Sequence, residues 1–301
     1  MRKVLEYWAA WSALEFLGAL PRPLARGVGV WVVRLAYALR PGLRKVALFN
    51  LGLAFPEMTD REKRRIMRQL VRSIGWMAGE FSQFPKYTRR NIEDVVVLEG
   101  FENFASARQR GKGVIFLTGH MGAWELAPFA QALYGNPLHF LVRPIDNERV
   151  DELVNGYRCT SGNLPIDKNQ SARAMLRVLG QGGTVGILMD HNSQGEEGVF
   201  VDFFGRAAST TSGISRIALR TDAAVVPGFI HWDENMRKHR LVFHPAVELA
   251  RSGDEDRDVQ ENTLRFNKTI EDYIRKYPGQ WLWVHKRWKT RPPGEPPLYP
   301  F

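Results

Sequence analysis

From residue 95 onward, short apolar runs alternate with helical stretches. Val95-Val96-Val97-Leu98, Val114-Ile115-Phe116-Leu117, Leu138-His139-Phe140-Leu141-Val142 and Val185-Gly186-Ile187-Leu188-Met189 read as buried strands. Helices are expected at 101–110, 123–133, 147–157, 170–180, 209–220 and 258–276. A further strand at 225–230 is expected to be interrupted by Pro227-Gly228, and Leu241-Val242-Phe243 to pair with a neighbour. Strands that apolar need cover on both faces. The expected fold class is therefore α/β, a mostly parallel central sheet flanked by helices.

Residues 1–85 read differently. Tyr7 to Leu20 and Gly27 to Leu39 are two apolar helices separated by Pro21 and Pro23, and Pro41-Gly42 closes the second. Neither reaches the roughly 20 apolar residues that span a bilayer. Aromatics interleave with Arg and Lys here, which fits a helix pair lying in a membrane interface; two core helices is the competing reading. Thr59-Asp60-Arg61-Glu62 has the form of a capping box ahead of an amphipathic helix over 60–80. The expected organisation is a helical, basic, membrane-associating region at 1–85 and an α/β core at 86–301, in one continuous unit. The net charge of +10 favours acidic partners.

The chemistry centres on Thr118-Gly119-His120-Met121-Gly122-Ala123-Trp124-Glu125. His120 follows a strand at its carboxyl end, where open α/β sheets place ligands. A neutral imidazole there can take a proton from a hydroxyl, and a carboxylate on its other nitrogen fixes the tautomer. Glu125 can be that carboxylate only if His120 sits in the turn before the helix, because a spacing of five puts two side chains of one helix about 140° apart. A histidine capping the helix, with Glu125 stabilised by the helix amino end, is the alternative.

Other polar groups are expected on the same sheet edge. Arg143 follows a strand and suits a phosphate or a developing oxyanion, or a surface salt bridge. Asp190 can bond to His120, to Arg143 or to backbone, and His191 is a second candidate base. Phe203 and Phe204 are candidates for an acyl channel or ordinary core, with Arg206 beside them as a further anion-binding candidate. Ser209, Thr210 and Thr211 are expected to cap the next helix. Trp281, Trp283, Lys286, Arg287 and Trp288 form an aromatic-basic run suited to a lipid headgroup layer.

Several rival chemistries lack their signatures. Histidines are scattered with no His-Glu-x-x-His, so no metal site is expected. Thr210-Thr211-Ser212-Gly213 lacks the first glycine of a nucleophile elbow. No glycine pattern resembles a dinucleotide or phosphate loop, so no permanently bound cofactor is expected. Cys159 is the single cysteine, which rules out a disulfide within the chain. No nucleic-acid module accompanies the basic charge.

Taken in order, the runs Asn50-Leu51-Gly52-Leu53-Ala54-Phe55-Pro56, Gly119 to Glu125, Arg143-Pro144, Asp190-His191-Asn192, Phe203 to Thr211, Val226-Pro227-Gly228, Tyr277 to Trp281 and Trp283 to Pro292 resemble the bacterial lipid A biosynthesis acyltransferase family, the late lauroyl and myristoyl transferases. The resemblance covers roughly residues 5–295. It implies a glycerol-phosphate-acyltransferase-like fold on the cytoplasmic face of the bacterial inner membrane, peripheral or monotopic. It also implies transfer of a fatty acyl group from acyl carrier protein or coenzyme A to a hydroxyl of a phosphorylated glycolipid. The family's catalytic histidine falls on His120 and its paired carboxylate on Glu125; Arg143 and Asp190 fall on supporting positions. The partners implied are acyl carrier protein, an anionic membrane and the glycolipid acceptor. Other lipid acceptors, thioester hydrolysis and non-catalytic lipid binding are the alternatives to lipid A chemistry.

Overall fold

The computed structural model describes residues 1–167, 171–195 and 198–301. Four helices come first: α1 (Arg2–Ala19), α2 (Arg22–Leu39), α3 (Pro41–Ala54) and α4 (Asp60–Ser82). Pro41-Gly42 therefore opens a third helix as well as ending the second; Pro41 stands at the first helical position, where its missing N–H costs nothing. At α4 the expected capping box is formed. Thr59 N–H donates to Glu62 Oε2 at 2.8 Å, and Glu62 N–H donates back to Thr59 Oγ1 at 3.3 Å.

The rest alternates: β1 (Val96–Glu99), α5 (Phe101–Gln109), β2 (Val114–Thr118), α6 (Leu126–Leu133), β3 (His139–Val142), α7 (Glu148–Cys159), β4 (Leu164–Asp167), α8 (Ser171–Gly180) and β5 (Thr184–Leu188). Then follow β6 (Gly198–Phe203), β7 (Arg206–Thr211), α9 (Gly213–Thr221), β8 (Ala224–Asp233), β9 (Lys238–Phe243) and α10 (Glu255–Lys276). Seven strands form one sheet in the order β1-β9-β8-β2-β5-β3-β4. Its pairings are parallel except β8 with β9. The α/β class with a largely parallel, helix-flanked sheet is thus present.

Alternation along the strands divides the core. Ile115, Leu117, Val185, Ile187 and Val225 pack with α3, α4, α8, α9 and α10. Val114, Phe116, Ala224, Val226 and Ile230 pack with α5 and α6 on the other face. Each such large side chain contributes about 1.5–3 kcal/mol by leaving water.

Two expectations need correction. Ser209, Thr210 and Thr211 do not cap a helix; they are strand residues of β7, paired with β6. The two-residue turn between them is Phe204-Gly205, both at positive φ (56° and 73°), which matches the twist of a hairpin. Pro227 also does not interrupt β8. It pairs with Leu117 of β2, pairing with β9 begins only at Gly228, and its carbonyl accepts the His244 N–H at 2.8 Å. The missing N–H falls where one neighbour hands over to the other.

The N-terminal helices are bound to the sheet by a buried charge cluster. Glu80 on α4 accepts from Arg26 Nε at 2.6 Å and from Arg22 Nε at 3.1 Å, and lies 3.1 Å from His239 Nε2 on β9. Burial, the largest influence, opposes Glu80 ionisation; His239, Arg26 and Arg22 outweigh it and hold the carboxyl well below the usual carboxylate range. Between α2 and α4 the backbones touch: a Cβ on Gly75 would lie 2.4 Å from Val30 Cα. By contrast α1 buries no residue. Trp8, Trp11, Phe16, Trp31, Leu35 and Leu39 of α1 and α2 are exposed. Among the described residues no helix is long and apolar enough to cross a membrane.

Candidate active site

β2 and β5 are parallel neighbours, with Thr118 opposite Leu188 at their carboxyl ends. His120 and Asp190 each lie two residues beyond that pair, so the sheet register delivers them to one another. Asp190 Oδ1 lies 2.8 Å from His120 Nδ1, and Asp190 Oδ2 accepts the His120 backbone N–H at 2.7 Å. The Trp281 indole N–H donates to the same Oδ2 at 2.7 Å. Asp190 is fully buried, and burial alone would favour its neutral form. The charge and hydrogen bonds of His120 outweigh that and keep it ionised, with its pKa well below the usual range. An ionised carboxylate only accepts, so the proton of this bond sits on His120 Nδ1.

His120 responds in the opposite direction. Burial favours its neutral ring most strongly, but the Asp190 charge and hydrogen bond, with a further contribution from Glu125, raise its pKa above the ordinary 6.5. Its ring lies 4.0 Å from that of His191 with planes 10° apart, and His191 lies 4.3 Å from His285. Asn192 N–H donates to His285 Nε2 at 2.9 Å, which requires that nitrogen unprotonated. Burial pushes the His285 pKa down to about 3.

Three histidines scattered in sequence are thus gathered in space. His120, Asp190 and His191 each offer a ligand-type atom within 4.8 Å of the others. The two rings meet face to face, and parallel planes do not aim nitrogens at a common point.

Glu125 stands elsewhere from where the spacing suggests. The helix starts at Leu126, so both His120 and Glu125 precede it. Glu125 is clamped by Arg158 of α7, Oε2 to Nε at 2.8 Å and Oε1 to Nη2 at 2.7 Å. The carboxylate that holds the His120 ring is Asp190; Glu125 acts on it through charge. Gly122 makes the turn between them possible. Its φ is +55°, and a Cβ there would lie 2.4 Å from the Ile230 carbonyl oxygen. Gly122 N–H donates to Gln280 O at 2.8 Å, and Met121 bridges to Trp281.

Arg143 is exposed just beyond β3, the other neighbour of β5. Arg206 is exposed at the turn of the β6–β7 hairpin. Phe203 and Phe204 are core residues, buried against Phe55, Trp281, Trp283 and Trp288. The aromatic-basic run turns its rings and one cation inward, while Lys286 stays half-buried and Lys289 exposed. Trp281, Trp283, Trp288 and Arg287 are 1 % exposed or less. Arg287 donates to Ser209 O at 2.7 Å and to Thr210 Oγ1, and burial pushes its pKa down to about 10. Lys286 donates to Phe301 O at 2.6 Å. An alternating aromatic run resembles an interfacial belt, yet here each ring has a core partner.

Trp124, which packs edge-on against the His120 ring with centroids 5.3 Å apart, also lines an apolar space. Phe116, Trp124, Phe129, Phe140, Leu141 and Leu188 line a narrow cavity of about 70 Å³ with the Glu125–Arg158 pair in its wall. Three residues have supporting roles that the sequence reading did not assign. Arg158 carries no local signal, and the Trp281 indole serves Asp190 instead of solvent. Asn50 is the third. Its side-chain amide donates to Trp283 O and His285 O at 2.7 Å each and accepts from Tyr299 at 2.8 Å, which pins the C-terminal segment behind the histidines.

The profile of the family described as bacterial lipid A biosynthesis acyltransferase matches residues 1–290. The lipid A biosynthesis lauroyltransferase of Escherichia coli (strain K12) is 27% identical over 297 residues, 97% of this chain and 95% of the relative. The palmitoleoyltransferase of the same organism is 26% identical over 300 residues, 97% and 95% of the two chains, and its myristoyltransferase is 26% identical over 294 residues, 96% and 89%. A match over nearly the whole length, joined to a histidine and acid at the carboxyl edge of the sheet, shows that this chain belongs to the bacterial lipid A biosynthesis acyltransferase family.

Proposed function

We propose that the protein moves a fatty acyl group from the thioester of acyl carrier protein or coenzyme A to a hydroxyl of a phosphorylated glycolipid of the lipid A precursor class. The observation that carries this reading is the His120–Asp190 pair at the carboxyl ends of β2 and β5.

With Nδ1 committed to Asp190, His120 Nε2 takes the acceptor hydroxyl proton. The oxygen attacks the thioester carbonyl, and a carbon–oxygen bond forms. The tetrahedral intermediate collapses as the carbon–sulfur bond breaks, and the imidazolium returns its proton to the leaving thiolate. Asp190 stabilises the imidazolium while it exists. Glu125 adds negative charge toward the same ring and holds Arg158 in the wall of the apolar cavity, which takes one end of the acyl chain. Arg143, exposed at the neighbouring strand end, is placed to meet a phosphate or the oxyanion; Arg206 and Lys286 lie outside this cluster.

The exposed aromatics of α1 and α2 support peripheral attachment of residues 1–85 to an anionic membrane, at its cytoplasmic face, with residues 86–301 as the catalytic core of the glycerol-phosphate-acyltransferase-like type. The net charge of +10 suits both the acidic carrier and a phosphorylated acceptor. Acyl transfer is measured with purified protein, acyl carrier protein thioester and a phosphorylated glycolipid. Acylated glycolipid is expected; free fatty acid as the sole product, with acceptor present, assigns hydrolysis instead.

A further inference from the structure

Gly186 stands in the middle of β5, between Val185 and Ile187, whose side chains are buried on the opposite face of the sheet. A glycine inside a buried strand forgoes side-chain packing and adds freedom to the unfolded chain, so its place there needs a reason. Backbone conformation is not that reason. Gly186 lies outside the positive-φ glycines, and its strand geometry is open to other residues.

What faces Gly186 supplies the reason. It lines the narrow apolar cavity that also touches Trp124, the residue packed on the His120 ring. Strand register orders the cavity wall in depth. Thr118 and Leu188 pair at the carboxyl edge, and Phe116 and Phe140 both pair with Gly186 two residues deeper. Two residues of strand are about 7 Å. Leu138, two residues before Phe140, lines the cavity deeper still. It is 2 % exposed, and its backbone is held on both sides: the N–H donates to Asn163 Oδ1 at 3.0 Å and the carbonyl accepts from Leu164 at 3.1 Å. A Cβ on Gly186 would lie 3.1 Å from Leu138 Cδ1 and 3.4 Å from Cδ2. Carbon atoms pack best at about 3.5–4.0 Å, so an added methyl makes the Leu138 side chain yield into the cavity it lines.

We propose that Gly186 and Leu138 together are the length gauge for the acyl donor, the terminal methyl of the preferred chain stopping against Leu138 above Gly186; the assignment rests on the acyl-transfer reading above. A cavity of about 70 Å³ holds only the end of a chain, so length is read at that end. The absent side chain at 186 lets Leu138 lie back against the sheet, and the bulk of Leu138 sets where the space stops. The two residues therefore act in opposite directions: bulk added at 186 shortens the cavity, and bulk removed at 138 lengthens it.

The test offers the full-length protein a mixture of saturated acyl carrier protein thioesters differing by two carbons, with a phosphorylated glycolipid as acceptor. Acylated glycolipid and free fatty acid are both read by mass spectrometry. Wild type is compared with Gly186→Ala, Leu138→Ala, the milder Leu138→Val and the double variant Gly186→Ala with Leu138→Ala, each checked by thermal unfolding. One methylene in an apolar pocket is worth about 10–200-fold in selectivity. Gly186→Ala is expected to favour the next shorter donor by at least tenfold in relative kcat/KM. Leu138→Ala is expected to favour the next longer donor by a similar factor, with Leu138→Val shifted the same way but less, and the double variant returns toward wild type. The acceptor KM moves less than twofold throughout. An unchanged length preference in folded Gly186→Ala and Leu138→Val, or a shift in the same direction from both positions, overturns the gauge. Thioester cleavage with the expected length shifts but no acylated glycolipid overturns acyl transfer and leaves the gauge standing. No product of either kind from wild type overturns the acyl-transfer reading and the gauge with it.

Discussion

Asp190 grips His120 twice, with Oδ1 on the ring Nδ1 at 2.8 Å and Oδ2 on the backbone N–H at 2.7 Å. One carboxylate therefore sets both the tautomer and the position of the proposed base. Asp190→Asn removes the charge and lets the ring take the wrong tautomer. A loss of kcat of about 10²–10⁴ is expected with the fold intact, measured by single-turnover acyl transfer and thermal unfolding.

The pH dependence follows from the raised His120 pKa. A base works only when neutral, so kcat/KM should rise with pH through an apparent pKa above 6.5. Removing either carboxylate lowers that pKa, Asp190→Asn more than Glu125→Gln, since Asp190 has the larger influence on the ring. Turnover falls in both. Profiles of the three proteins check the order, and a larger shift from Glu125→Gln would make Glu125 the dominant acid.

The narrow cavity under Trp124 should set acyl length. Leu188 is in its wall and 37% exposed, so a larger side chain can be placed there without repacking the core. Leu188→Trp is expected to shift preference toward shorter acyl donors by at least tenfold in relative kcat/KM, read from competition between thioesters of different chain length.

The Glu80 cluster should matter to stability. Glu80→Ala leaves Arg26 buried without its partner and is expected to cost about 3–5 kcal/mol in chemical denaturation. Because the Glu80 pKa is lowered on folding, its contribution is present above the ordinary value of 4.5 and lost as pH falls. The acid-induced loss should be smaller in the variant.

Vesicle binding should depend on α1. Replacing Trp8, Trp11 and Phe16 together by Ser removes exposed apolar area and is expected to weaken binding to anionic vesicles at least tenfold, with unchanged unfolding, as none of the three is buried. Unaltered binding in co-sedimentation would place the membrane contact elsewhere.

The sequence pattern carried much of this, unevenly. Apolar runs of four or five residues marked β2, β3 and β5, and the carboxyl-edge rule placed His120, Arg143 and Asp190 on one side of the sheet. What local spacing cannot give is lateral order. The pairing of Thr118 with Leu188 brings Asp190 to His120 across 70 residues, while Glu125, five residues away, turns to Arg158. The same limit left Phe203, Phe204 and the Trp281–Trp288 run undecided: an aromatic pattern states that rings need cover and leaves open whether protein or lipid supplies it. In β7, polar Ser209 and Thr210 look like caps until the hairpin turn at Phe204-Gly205 is recognised.

The most direct test of the central claim is acyl transfer from acyl carrier protein thioester to a phosphorylated glycolipid by wild type, His120→Ala and Asp190→Asn, each verified as folded. Acylated glycolipid from wild type, with turnover lowered at least a hundredfold in both variants, is the predicted result. Wild-type turnover in a folded His120→Ala protein would contradict it.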